Sequence, residues 1–292
     1  VAYTDEQLGL AAQVRAALLT PPADARLPGW DALGATGFLG CLVSPASGGL
    51  GLRFADTVPA FTETGRVALP GPLVETCVLG ALLLPERFHG PLARGELRVS
   101  ARVGDTVYAP DADTAGLLVV ERPGGVLEAL PPSAVRLTPR PGLDPARRLF
   151  SVSTERPGIP LGMRVSALPA LRIATVAVAA QLVGLARHLC AVADLPPDAA
   201  DCAGSLVYDA AVVAGDHASR TEGEVVRAVS AAKAAAGEAA AGAAHAILRQ
   251  GPRGHDLWVA RVWSLGSAYG DTGLHRARLR AARLGSPELY RR

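Results

Sequence analysis

Apolar residues near the start of the chain recur at helical spacing. Leu8, Ala11, Ala12, Val14 and Leu18 fall on one stripe behind Thr4-x-x-Gln7. That spacing is a capping-box pattern, in which each side chain serves the other residue's backbone N–H. Pro21-Pro22 stops this helix, and a short one follows from Trp30 to Phe38. A glycine-rich turn, Ser44 to Gly51, leads to helices over Phe54 to Arg66 and Pro72 to Leu84. The turn has no Lys-Ser/Thr ending and no preceding strand, so it does not read as a phosphate loop.

From about residue 96 the period shortens to two. Leu97 to Val103, Gly116 to Val120, Val126 to Leu130 and Leu149 to Val152 alternate as half-buried strands do, with Pro, Gly and Asp between them. These runs predict a small antiparallel β domain. The helical period returns at Leu168. A second capping box, Thr221-x-x-Glu224, opens a helix to about Gln250 whose alanine runs let neighbouring helices approach closely. Gly251-Pro252 ends it, and a final helix is predicted from His255 to Leu284. The expected fold is α+β and mostly helical. An N-terminal helical domain (1–95), a central antiparallel β domain (96–165) and a C-terminal helical bundle (166–292) make it up.

Composition narrows the classes. Hydrophobic residues form 49% of the 292, yet no run of about 18 is apolar and free of charge. Ile173 to Ala193 comes nearest, but Gln181, Gly184, Arg187 and His188 interrupt it, so it reads as a buried helix and no membrane association is expected. No basic-then-apolar signal follows Val1, and a cytoplasmic location is expected. A net charge of +2 gives no basic surface for nucleic acid. The one basic concentration, His275 to Arg283, suits the solvated face of a helix. Cys41, Cys77, Cys190 and Cys202 are scattered without a Cys-x-x-Cys pair or a histidine cluster, which predicts reduced thiols and no metal site.

The most informative segment is Gln250-Gly251-Pro252-Arg253-Gly254-His255-Asp256-Leu257. Arg249, Gln250 and Arg253, with Gly251, form either a basic rim suited to a phosphate or ordinary loop residues. His255 can cap the helix, pack, or contact a ligand. Asp256 suits a helix N-terminus, where acids are favoured. Trp258 and Trp263, five apart, suit core or interface anchoring.

Several segments, in order, resemble the acyl-CoA dehydrogenase family: Trp30 with Leu33, Gly34 and Gly37; Val43-Ser44-Pro45 with Gly48-Gly49-Leu50-Gly51; Phe61 to Arg66 followed by Pro70-Gly71-Pro72; and Ala179 to Ala186. Pro141 to Asp144 and Ser205 to Tyr208 add weaker matches. In the steroid-type actinobacterial branch, the segment at 253–257 reads Trp-Glu-His-Asp-Leu, and the Glu is the catalytic base. Here His255, Asp256 and Leu257 match that pattern, but Gly254 stands at the Glu position. Between Leu189 and Ser205 the family usually carries a long segment whose Arg and Gln hold the flavin diphosphate. Cys190 to Gly204 reads instead as a short Pro-Pro-Asp loop. Ala246 to Gly251 replaces the family's His-Gly-Gly turn.

The resemblance implies a subunit of a hetero-oligomer that desaturates an acyl-CoA at the α,β position. FAD would be held largely by a homologous partner chain, with Arg249, Gln250, Gly251 and Arg253 as this chain's contacts. A homo-oligomer, or a chain binding no flavin, is the other possibility for assembly and cofactor. A flavin-free lyase, isomerase or cyclase acting on acyl-CoA or an acyl-carrier thioester is the alternative. That chemistry needs a proton carrier from among His255, Asp256, Tyr208, His245 and Glu63. A catalytically dead structural subunit is the third reading.

Overall fold

The computed structural model of the chain describes residues 2–19, 27, 29–104, 106–154, 156–251 and 253–284. Pro21, Pro22 and Pro252, expected to end helices, lie outside the described residues. The helices are α1 (Asp5–Leu19), α2 (Trp30–Ala35), α3 (Phe54–Arg66), α4 (Ala81–Leu83), α5 (His89–Ala93), α6 (Arg164–Val192), α7 (Asp198–Gly215), α8 (Glu222–Gln250), α9 (Asp256–Ser267) and α10 (Thr272–Arg283). The strands are β1 (Val99–Arg102), β2 (Ala109–Pro110), β3 (Leu117–Glu121), β4 (Val126–Leu130), β5 (Val135–Arg140), β6 (Leu149–Thr154) and β7 (Ile159–Met163). This is the mostly helical α+β fold that the periodicity predicts. By compactness the chain divides into two units, one of Val1–Ala12, Phe54–Ala68 and Thr175–Arg292, the other of Gln13–Arg53 and Leu69–Ala174.

In the first unit, α1 begins at the expected capping box: Thr4 N donates to Gln7 Oε1 at 3.1 Å, and Gln7 N to Thr4 Oγ1 at 3.3 Å. The buried stripe of the helix is Gln7, Ala11, Val14 and Leu18, whereas Leu8 and Ala12 are exposed, contrary to the sequence pattern. Gln7 takes the inward position because its amide donates to Asp56 Oδ1 at 2.8 Å.

Helices α3 and α6 touch backbone to backbone. A Cβ on Gly65 would lie 2.0 Å from Gln181 O, and one on Gly184 1.9 Å from Thr62 O. Gln181 Nε2 adds a hydrogen bond to Thr64 Oγ1 at 3.2 Å. By length and composition α6 could cross a membrane, but 78% of its most apolar window is buried inside the protein, which makes it the core helix expected. Residues 193–197 join it to α7, so much of the stretch from Cys190 to Gly204, expected as a loop, is helical.

The capping box at Thr221 forms, with Thr221 N donating to Glu224 Oε2 at 2.8 Å. Helix α8 packs against α7, α9 and α10 through alanine, glycine and valine. Among these small residues sits Lys233, the chain's only lysine, 1% exposed. Its Nζ donates to Gly266 O and Gly270 O, each at 2.9 Å. Those carbonyls belong to a break in the final helix, which is two helices and not one. Tyr269 and Gly270 adopt positive φ (56° and 98°), and Asp271 restarts the chain as the N-cap of α10, accepting from Leu274 N at 2.7 Å. His275, expected on the solvated basic face, is buried between Ser230 Oγ (3.3 Å) and Tyr269 O (3.1 Å). Burial, then the Lys233 charge, depresses its pKa to about 3, so it is neutral.

In the second unit two sheets pack face to face, with strand orders β1-β3-β4-β7 and β2-β6-β5. Leu118, Val120, Leu130, Ala109 and Phe150 lie in their shared core. Among the described residues all pairings are antiparallel except β1 with β3, which is parallel. Strands β1 and β3 are almost wholly buried, not half-buried as their alternation suggested. The helix expected over Pro72 to Leu84 widens into a π-helical stretch at Glu75–Gly80. There the Thr76 hydroxyl accepts from Val99 N at 3.0 Å and donates to Val99 O at 3.2 Å, which ties the turn to β1. The helix expected from Trp30 to Phe38 breaks at Gly37, where φ is 75°. All four cysteines are free, and burial raises the pKa of Cys41 to about 12.

Two substitutions test this packing. Gly184→Ala forces a methyl into the Thr62 carbonyl and is expected to cost about 3 kcal/mol. Lys233→Met takes the Lys233 donor from two carbonyls, one of them buried, and should cost roughly 2–4 kcal/mol. Urea denaturation of each purified variant measures both.

Candidate functional site

The segment singled out by the sequence forms the α8–α9 turn. Helix α8 ends at Gly251, whose φ of 68° makes it a left-handed cap and whose N–H donates to Ile247 O at 2.8 Å. Gly254 also lies in the left-handed region, at φ 85°. Nothing stands within 4 Å of where its Cβ would be, so backbone conformation and not crowding favours glycine here. His255 occupies the N-cap of α9 without making a side-chain cap, and Asp256 is exposed in the first turn.

His255 packs. Its ring centroid lies 5.7 Å from that of His188 on α6 and 5.8 Å from that of Trp258 on α9. His188 and Trp258 stack at 4.7 Å with 15° between their planes. Trp258 Nε1 donates to Arg66 O at 3.0 Å, and Arg261 Nη1 donates to Ala68 O at 2.9 Å. Helix α9 thereby caps carbonyls at the end of α3 that have no partner within the helix. Arg66 Nε faces Glu63 Oε2 at 3.3 Å, so the buried Glu63 carboxylate is ion-paired.

His188 Nε2 and His255 Nδ1 are both buried without a hydrogen-bond partner. Burial, the neighbouring His255 and the Arg66 charge hold the His188 pKa below its ordinary value. His188 thus tends towards the neutral imidazole, which retains a lone pair able to take up a proton.

The other sequence candidates scatter. Arg249 and Arg253 are exposed, and Gln250 Nε2 donates to Ala193 O at 3.0 Å, tying the turn to the end of α6. His245 is exposed on α8 with its ring 5.2 Å from Trp263. Tyr208 lies in a separate cluster, edge-on to Tyr3 at 5.3 Å. The partner that sequence reasoning missed is His188. Its signal was present, because an imidazole interrupting an apolar helix needs a polar or aromatic neighbour.

The turn offers a diphosphate two exposed guanidiniums but no enclosing wall. Space is open beside both Gly251 and Gly254, and the Asp256 carboxylate occupies the first turn of α9, where an anion would otherwise be favoured. The chemistry of these residues fits a rim contact to a flavin diphosphate.

No protein-family model matches the chain, and no curated protein matches it. Solved structures do. Butyryl-CoA dehydrogenase from Megasphaera elsdenii superposes with a TM-score of 0.79 at 14% identity, over 97% of this chain and 99% of that one. A Tcur3481-Tcur3483 steroid ACAD variant gives 0.75 at 18% identity, over 97% and 98%. The ChsE4-ChsE5 complex from Mycobacterium tuberculosis gives 0.72 at 16% identity, over 99% and 98%. The chain therefore has the acyl-CoA dehydrogenase fold.

The backbone at Gly254 makes a prediction. Gly254→Glu places an L-residue at φ 85° and is expected to lower stability by about 1–2 kcal/mol. Gly254→Asn, whose side chain tolerates that region, should lose less. Urea midpoints of the two variants give the comparison.

Proposed function

We propose that this chain is the subunit lacking the catalytic Glu in a flavin-dependent hetero-oligomer that desaturates an acyl-CoA at the α,β position. The observation that carries this reading is Gly254. It stands where the resemblance puts a Glu, on a left-handed backbone that disfavours a Glu side chain. Abstraction of an α-proton needs a positioned base, and the neighbouring Asp256 is exposed.

Two further features support a flavin held mainly by a homologous partner. Between Leu189 and Ser205, where the resemblance puts the family's flavin clamp, this chain has only two helix ends joined by residues 193–197. Ala246 to Gln250 remain helical where the family has a turn with free N–H groups, so their N–H groups are engaged within α8. In this reading Arg249, Gln250, Gly251 and Arg253 contribute from the rim. The ChsE4-ChsE5 complex and the Tcur3481-Tcur3483 ACAD, two assemblies with this fold, make such a pairing reasonable.

One observation favours the second reading, a flavin-free enzyme acting on an acyl thioester. His188 and His255 place two imidazoles beside the turn, each with a buried, unpartnered nitrogen. In that reading they are the proton carrier.

The visible absorption spectrum separates the readings. Flavin bands are expected only when the chain is co-purified with a dehydrogenase-like companion. Flavin bound by the chain alone contradicts the rim-contact account. Flavin in neither preparation shifts the assignment to the histidine pair.

A further inference from the structure

The second unit contains a buried charge cluster away from the α8–α9 turn. It joins the turn after β2, the loop at 144–148 and the π-helical stretch. Asp111 is 0% exposed, on a left-handed backbone (φ 49°) unusual for a residue with a side chain. Its N–H donates to Arg148 O at 2.7 Å, and its Oδ1 accepts from Arg148 N at 3.1 Å and faces Arg148 Nε at 3.6 Å. Arg148 Nη1 also donates to Asp113 Oδ2 at 2.7 Å. On the far side of the loop, Arg147 Nη2 lies 3.8 Å from Oε1 of the buried Glu75. Asp144, also buried, accepts from Ala146 N within the loop at 3.0 Å. Cys77, two residues along from Glu75, is a further titratable group beside it.

Three carboxyl groups therefore face two guanidiniums, and one oxygen has no donor. Asp111 Oδ2 is buried without a hydrogen-bond partner. A carboxylate oxygen in that position carries a large desolvation cost, and a protonated one a much smaller cost. We propose that Asp111 is a proton-operated latch on the 144–148 loop: the loop is seated while Oδ2 carries a proton, and ionisation of Asp111 releases it. Release lets water reach the ionised carboxylate and frees Arg147 and Arg148.

The direction of the pH response follows from burial, which raises the Asp111 pKa to about 6 against the opposing pull of Arg147 and Arg148. The seated form binds a proton more tightly than a solvated aspartate, so it is fully favoured at pH below about 4 and loses ground as pH rises through about 6.

Amide hydrogen exchange at Asp111 and Arg148, corrected for intrinsic rate, reads the opening. Raising the pH from 5.0 to 7.5 should increase opening about tenfold in the wild-type chain. Asp111→Asn keeps the shape, tolerates the left-handed backbone and carries no charge. Its opening should change less than twofold over the same range, while Asp144→Asn retains the rise. An unchanged wild-type opening, or an undiminished rise in Asp111→Asn, overturns the latch.

Discussion

The candidate site depends on a contact between two backbones. Gly65 and Gly184 let α3 and α6 cross with no side chain between them, at separations where any Cβ would overlap a carbonyl. The crossing fixes what lies beside it in sequence. Arg66 follows Gly65 directly, and His188 lies one helical turn beyond Gly184. Side chains that would otherwise stand a helix diameter apart are brought to the same place, and α9 completes it through Trp258 and Arg261. A glycine pair with no chemistry of its own thus positions the histidine, the guanidinium and the two capped carbonyls. Packing of this kind is stiff, because close-packed interiors transmit a displacement and do not absorb it.

The same economy shows in the buried polar groups. Lys233 sits amid alanines and glycines, a position that small neighbours make roomy enough for a long side chain. Its ammonium is held by the carbonyls at the end of α9, where the helix dipole is negative. His275 beside it is kept neutral, so it adds no further positive charge next to the ammonium. Helices faced mainly with alanine can slide past one another with little change in packing. A directional group such as Lys233, pairing with one particular turn, removes that freedom.

Much of this fold was legible in the sequence, for identifiable reasons. Both capping boxes formed because their hydrogen bonds are local, and α8 ends at Gly251 as expected. The failures came where distant contacts override a local pattern. Gln7 displaced Leu8 from the inner face because Asp56, 49 positions away, offers it a hydrogen bond. Strand β5 carries Pro139 and faces solvent, so it lacks the apolar run by which a strand is noticed, yet as an edge strand it tolerates the proline. The break between α9 and α10 was signalled by Gly270-Asp271-Thr272, a left-handed glycine followed by an N-cap, but the apolar period ran on across it. At the site, the absence of a Glu at position 254 could be read directly. The left-handed backbone and the apposition of His188 could not, since both follow from how α6, α8 and α9 are assembled.

The parallel pairing of β1 with β3 has a consequence for how the second unit is made. Parallel neighbours cannot be joined by a tight turn, and here the connection between them runs through β2, which belongs to the other sheet. The first sheet cannot close until the chain has visited the second. Strand β2 in turn is only two residues long and pairs with β6, which arrives some forty residues later. Neither sheet is contiguous in sequence, so each is built from pairings between separated segments, and the entropy of closing the loops between them opposes those pairings.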